Sequence, residues 1–413
     1  MRTAWGLAVV AAAVLLCASH ALGHSSVIVD GRFEHPVAVG YDDVEGAEGF
    51  LLYCPCVGRF GGQVDMLLGA LALAKSANRT LVIPPFILLV ESSTTPRFAS
   101  FDQVFEMAPI LAYHRVVTLE SFMESHGSAW HPRPGYCFRS PAALNDPAPQ
   151  CNHKVGNPFA LFWDHFGVSF TSSHYISTDL AVRDQILKSD LTHDVQEMTS
   201  DAKLKWDATL PASRHPYVTL NSGPVAPVDR ANRALQAHLE WHPVLREMAE
   251  KFIDRSLRRP YVGVHLRNNP AWVSVCRGAD ARTSPFLASP QCLPDGAAIT
   301  GAMCLPTFPH ILERVRQAVR RSGARSVFIA TDDRALAVVF EKQLSLPVVV
   351  STDEAADLAH LGPAQPAFPT RQFLDLQVLT EADIFVGNCL STHSAFVKRA
   401  RKDRPTMFFG LND

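Results

Sequence analysis

The sequence predicts an α/β protein of two Rossmann-like domains facing one another across a central cleft. Three observations carry this. Short apolar, β-branched runs recur along the chain, each followed by a stretch of helical length. Residues 49–83 read as a βαβ unit with a glycine-rich turn between strand and helix. Residues 261–402 alternate strand and helix again. A length of 413 residues is comfortable for two domains.

The first 23 residues read as a secretory signal, with Arg2 ahead of a compact apolar stretch and small residues before His24. An uncleaved anchor is the alternative, but the stretch is short for a membrane span, and no later run is long enough. The mature chain is therefore expected to be soluble in a secretory compartment. Nine cysteines include Cys17 in the signal, leaving an even set of eight for an oxidising compartment. Zinc is a poor reading, because no Cys-x2-Cys has a matching second pair. Asn78-Arg79-Thr80 is an N-glycosylation sequon at Asn78.

The first domain is expected over residues 24–235. Residues 49–53 form a strand, 58–63 a tight turn and 64–77 a buried apolar helix; Thr80-Leu81-Val82-Ile83 is the next strand, stopped by Pro84-Pro85. Glycines in that turn let backbone N–H groups approach an anion at the helix start. A plain structural turn serves the same pattern. Residues 121–157, rich in Pro, Ser and His, read as an irregular insertion stapled by a disulfide. Phe159, Phe162, Trp163 and Phe166 read as core or interface.

The second domain is expected over residues 236–413. Residues 261–267 are a buried strand ending in His265 and Arg267. Ligands of open α/β sheets sit outside the carboxyl ends of strands, and a guanidinium there suits phosphate oxygens. A phosphorylated ligand, such as a nucleotide, follows; the alternative is a salt bridge to a neighbouring carboxylate. Further helices are expected over 306–321, 335–343, 373–381 and 391–402, with strands over 326–332, 346–350 and 384–386. The net charge of −2 and the lack of a basic stripe exclude a nucleic-acid partner. The densest basic run, residues 313–321, has helical spacing and reads as a solvated helix face.

Several motifs then occur in order: Tyr53-Cys54-Pro55-Cys56, Gly58-Arg59-Phe60-Gly61, Gly156-Asn157-Pro158-Phe159, Trp163-Asp164, Ala288-Ser289-Pro290-Gln291-Cys292, Gly387-Asn388-Cys389 and Phe408-Phe409-Gly410. Together with the strand ending at Arg267, they resemble the GDP-fucose protein O-fucosyltransferases that modify EGF-like repeats. The resemblance implies a GT-B fold and inverting transfer of fucose from GDP-fucose to Ser or Thr of a folded EGF-like repeat. It implies the endoplasmic reticulum lumen as the compartment and EGF-repeat proteins such as Notch-type receptors as partners. A monomer is expected, and no cofactor or metal is required; the absence of any Asp-x-Asp agrees.

The resemblance also assigns roles. Arg267 is the catalytic residue, holding the departing β-phosphate. His265 holds the guanine or ribose side of the donor, and Asp375 pairs with guanine N–H groups. Phe60, Gly61, Gly62 and His393 complete the donor pocket; Ser391 and Thr392 start a helix after a strand, so their hydroxyls and the N-terminal amides suit a diphosphate, with plain helix capping as the alternative. The implied disulfides are Cys54–Cys56, Cys137–Cys151, Cys276–Cys304 and Cys292–Cys389. Three positions depart from the family: Gly62 replaces an Asn, Ala271 an Asp, and His393 a Phe. The chain also ends without an endoplasmic-reticulum retrieval tetrapeptide. Two alternatives are a catalytically silent chaperone that binds EGF repeats and a fucosyltransferase for another acceptor.

Overall fold

The computed structural model describes residues 49–56, 58–88, 96–131, 133–139, 151, 153–154, 159–177, 200–223, 228, 230–277, 299–332, 334–351 and 371–411. The signal sequence, Cys292 and most of the span 140–158 lie outside the described residues.

Strands β1 (Phe50–Tyr53), β2 (Thr80–Ile83), β5 (Val116–Thr118), β6 (Pro134–Arg139), β7 (Ser172–Ser177) and β8 (Tyr217–Leu220) form a parallel sheet in the order β5-β2-β1-β8-β6-β7. A side hairpin joins β3 (Phe86–Leu88) to β4 (Arg97–Ala99). Strands β9 (Tyr261–Leu266), β10 (Ser326–Thr331), β11 (Val348–Val349), β12 (Ile384–Gly387) and β13 (Thr406–Phe408) form a second parallel sheet, β11-β10-β9-β12-β13. All six residues of β9 and all six of β10 are buried, as strands covered on both faces should be.

The helices used below are α1 (Phe60–Ser76), α2 (Leu119–His126), α3 (Phe159–His165), α4 (Pro243–Ser256), α5 (Pro270–Cys276), α6 (Phe308–Ser322), α7 (Arg334–Leu344), α8 (Arg371–Glu381) and α9 (Thr392–Arg401). Most begin or end within two residues of the expected bounds. Helix α6 is amphipathic, burying Ile311, Leu312 and Val315, and closes on left-handed Gly323 (φ 61°).

Three local expectations are corrected. The turn expected over 58–63 is mostly helix: only Gly58 and Arg59 stay outside, and Gln63 N–H bonds the Arg59 carbonyl at 3.0 Å. Gly61 and Gly62 serve there as small helical residues rather than as turn formers. The segment 121–157 is not irregular throughout: it holds most of α2 and all of β6, which pairs with β7 and β8. Flanking prolines hid that strand, while buried Tyr136 and Cys137 anchor it. Helix α5 was not expected. Pro270 reads as a breaker, but it stands in the first turn behind an extended Asn269 N-cap, where its missing N–H costs nothing.

Helix α1 buries every residue from Phe60 to Ala74, because it packs against strands on one side and against α9 on the other. Its two buried polar residues are both paired. Gln63 donates to the Ile87 carbonyl at 2.9 Å and accepts the Ile87 amide at 2.8 Å. Asp65 pairs with Arg399 of α9 at 2.7 Å. Phe60 packs against Phe86, Phe105 and Trp241 and also against Phe373 of α8 and Phe396 of α9. Its ring is thus core between the two sheets, and only its backbone is left for a ligand. Cys54–Cys56, Cys137–Cys151 and Cys276–Cys304 are bonded, with Cα separations of 5.1, 5.7 and 5.5 Å. Cys389 is also disulfide-bonded, to a partner outside the described residues.

Candidate functional site

Strand β9 lies between β10 and β12, so its carboxyl end is the middle of the second sheet. Arg267 follows that end directly. Its guanidinium lies over the indole of Trp272, 4.4 Å from the ring centroid. Helix α5 carries Trp272, and the Asn269 side chain caps that helix by accepting the Trp272 amide at 2.8 Å. Asp332, just past β10, accepts the amides of Asn268 at 2.8 Å and Asn269 at 3.0 Å. The loop after Arg267 is therefore clamped from two sides.

The salt-bridge alternative for Arg267 does not hold. Both Asp332 oxygens are engaged by backbone amides, and among the described residues no carboxylate pairs with Arg267. Burial, and the nearby charge of Arg59, push the Arg267 pKa down to about 10, with Asp332 opposing. Arg267 thus remains a cation at neutral pH. Arg59, exposed in the bend before α1, is a second cation of the site that the sequence reading did not single out.

The start of α9 is near enough for the charge of Arg267 to act on its His393. Ser391 occupies the N-cap position, but its hydroxyl makes no capping bond and is buried without a partner among the described residues. Thr392 is buried beside it. The pure capping reading of Ser391 therefore fails, and a buried hydroxyl at a helix N-terminus suits an anionic ligand. Gly61 closes the cradle from the first-sheet side. A Cβ built there would lie 2.7 Å from the Thr392 carbonyl carbon and 2.8 Å from the His393 nitrogen. Only glycine permits this approach of α1 to α9. Gly61→Ala should force the two helices apart, costing about 1–3 kcal/mol by overpacking; a urea midpoint lowered together with weakened GDP binding checks this.

His265 is buried on β9, with Nδ1 at 2.7 Å from the Ser394 hydroxyl, which also accepts the Asn388 amide at 3.0 Å. The His393 ring stacks on it, centroids 4.5 Å apart. Burial holds both imidazoles neutral: His265 titrates well below the usual range, and His393 is pushed down to about 3, with Arg267 adding to each. In the unfolded chain both would titrate near 6.5, so acidification protonates the unfolded state first. Stability is then complete above about pH 6.5 and declines as pH falls toward 3, by at most about 1.4 kcal/mol per pH unit for each imidazole. Denaturation midpoints at pH 7 and pH 5 should show the decline, and His393→Phe should remove its share.

Asp375 is not the exposed carboxylate that an isolated helix position allows; it is buried. The Ser351 hydroxyl donates to its Oδ1, and Arg371 lies 3.9 Å from Oδ2. Arg371 also donates to the Thr331 carbonyl at 2.9 Å, and Thr331 pairs with Leu266 across β10 and β9. Asp375 is thereby held at the same sheet end as Arg267. Gly62 is buried in the first turn of α1, and Ala271 is exposed on α5. Asn78 is half-buried in a left-handed turn (φ 54°), with its side-chain carbonyl accepting from Arg115 at 2.6 Å. The cluster of Cys137, Cys151 and His153 has both sulfurs joined in a disulfide, which removes their thiolates from metal chemistry.

Two parallel α/β halves, with a strand-end cation near a helix N-terminus, have the architecture of the GT-B class of glycosyltransferases. The comparisons agree. The family model for GDP-fucose protein O-fucosyltransferase matches residues 50–404, and the chain belongs to that family. GDP-fucose protein O-fucosyltransferase 1 of Caenorhabditis elegans is 34% identical over 380 residues, covering 88% of this chain and 90% of that one. A crystal structure of apo POFUT1 matches with TM-score 0.72 and 32% identity, over 88% of this chain and 98% of that chain. POFUT1 in complex with GDP-fucose matches with TM-score 0.70, also at 32% identity, over 88% and 98% of the two chains. No helix among the described residues is long and apolar enough to cross a membrane.

Proposed function

We propose that the chain transfers fucose from GDP-fucose, with inversion, to Ser or Thr of folded EGF-like repeats. The observation that carries this is Arg267: a cation without a carboxylate partner among the described residues, stacked on Trp272 and near the start of α9. The glycosidic bond breaks through an oxocarbenium-like state, and negative charge grows on the β-phosphate. Preorganised cations and amides aimed at that charge lower the barrier. Arg267 and the α9 amides with Ser391 and Thr392 take this part, with Arg59 beside them. His265 and Asp375 hold the nucleoside side of the donor. Residues 236–413 bind the donor, and residues 24–235 face the acceptor.

Gly62 and Ala271 remove side-chain contacts that position substrates but leave the leaving-group stabilisers in place. Transfer is therefore retained with altered efficiency. Activity resides in the endoplasmic reticulum lumen, in a monomer glycosylated at Asn78, with Cys292 paired to Cys389 and Notch-type receptors among the acceptors. The second reading, a silent EGF-repeat binder, draws on Ala271, whose exposed methyl offers no polar contact.

GDP release from GDP-fucose decides between them. Release with a folded EGF-like domain, and none with its reduced form or with Arg267→Ala, supports transfer. Release that is equal with and without acceptor would sink the acceptor assignment. Calorimetric binding of the EGF-like domain without turnover would establish the silent reading.

A further inference from the structure

His393 stands where the family resemblance implies a Phe, in the first turn of α9. Its ring stacks on His265 with 27° between the planes, yet its Nε2 is buried and bonded to nothing among the described residues. Two residues earlier the Ser391 hydroxyl is in the same condition, fully buried and without a partner. Buried polar atoms are costly to leave unpaired, and a ligand oxygen removes the cost. The charge of Arg267 acts on both imidazoles, so the ring lies within reach of the cationic cradle.

We propose that His393 Nε2 donates a hydrogen bond to a diphosphate oxygen of the nucleotide sugar, a donor-selecting contact of this chain, and that donor binding thereby takes up a proton. The proposal rests on the donor assignment above. The groups nearest the ring are His265 on β9, Arg267 just past the end of that strand, Ser391 and Thr392 at the start of α9, and the Gly61 backbone from α1; the Ser394 hydroxyl bonds His265. Arg59 and Asp332 act on Arg267 rather than on His393, and among the described residues no carboxylate acts on the imidazole.

Without an anion, burial and Arg267 keep His393 neutral down to about pH 3. A diphosphate reverses the local field and favours the imidazolium. Binding then tightens as pH falls through the bound-state pKa. If that value returns to the ordinary range near 6.5, affinity rises about tenfold from pH 7.5 to pH 5.5. GDP-fucose is the right probe, because its phosphates carry no proton that titrates in this window; the terminal phosphate of GDP does, near 6.

Calorimetry of the full chain with GDP-fucose, at both pH values and in buffers of different ionisation enthalpy, tests this. The wild type should bind about tenfold tighter at pH 5.5 and take up close to one proton there. His393→Phe, the residue the family resemblance implies, and His393→Asn, as a second folded variant, should show an affinity ratio near one and no uptake. Guanosine, lacking phosphates, should show no pH dependence with any of the three. If both variants keep the wild-type pH slope, or if the wild type shows none, the role of His393 is overturned. If the wild type fails to bind GDP-fucose at either pH, the donor assignment itself falls.

Discussion

Arg267→Ala is expected to slow fucose transfer by about 10² to 10³ while the protein stays folded. The magnitude is that of removing one preorganised donor to a developing negative charge. The fold should survive, because the side chain is only half-buried and its one described ring contact is the face of Trp272. Losing that stack at a partly exposed site costs about 0.5–1 kcal/mol. Arg267→Lys keeps a cation but loses the planar fork and the guanidinium stack, so it should recover only part of the rate. Steady-state kinetics with saturating donor, alongside unchanged far-ultraviolet dichroism, checks this. A variant with wild-type kcat would remove Arg267 from the mechanism.

Arg399→Ala should cost about 3–5 kcal/mol of stability, the usual result of stripping one partner from a buried ion pair. Asp65 is fully buried, and the Arg399 side chain is nearly so. Arg399 also bonds the Gln236 side chain, whose amide in turn donates to the Phe396 carbonyl at 2.9 Å. The pair joins α1, from the first-sheet side, to α9, from the second, and these two helices form the anion cradle. Burial already raises the Asp65 pKa, against the pull of Arg399. Without Arg399 the carboxylate keeps the Val228 amide and the charge of Arg233 but loses its ion-pair partner. Its folded pKa then lies further above the unfolded value, so the variant is weakest at high pH and partly recovers as pH falls. Replacing both partners with apolar residues of similar volume, Asp65→Leu with Arg399→Met, should cost much less. Urea midpoints at pH 6 and pH 8 separate these outcomes.

The sequence carried the elements that repeat a pattern. Residues 261–267, 326–332 and 384–386 could be read as strands because unbroken β-branched runs mark sheets covered on both faces. Arg267, at the end of the first of these runs, could be read as a ligand cation. What could not be read depends on chain segments far apart. Asp65 and Arg399 are 334 positions apart, and a lone Asp in an apolar helix names no partner. Asp332, an acidic residue in an acidic loop, holds the loop after Arg267 by accepting amides 63 and 64 positions away. Helix α5, with Trp272, was missed because Pro270 and two asparagines read as a break, whereas Asn-Pro in that order is also a helix start. Phe60 belonged to a motif of the donor side, yet five aromatic neighbours make its ring core. Motif membership cannot separate a residue that touches a ligand from one that shapes the floor beneath it.

The intact mass of a folded EGF-like repeat, after incubation with GDP-fucose and the purified chain, tests the central claim most directly. The account predicts a gain of one fucosyl residue on a Ser or Thr, absent with Arg267→Ala and absent when the repeat is reduced. An unmodified repeat, under conditions where GDP-fucose binds, would contradict it.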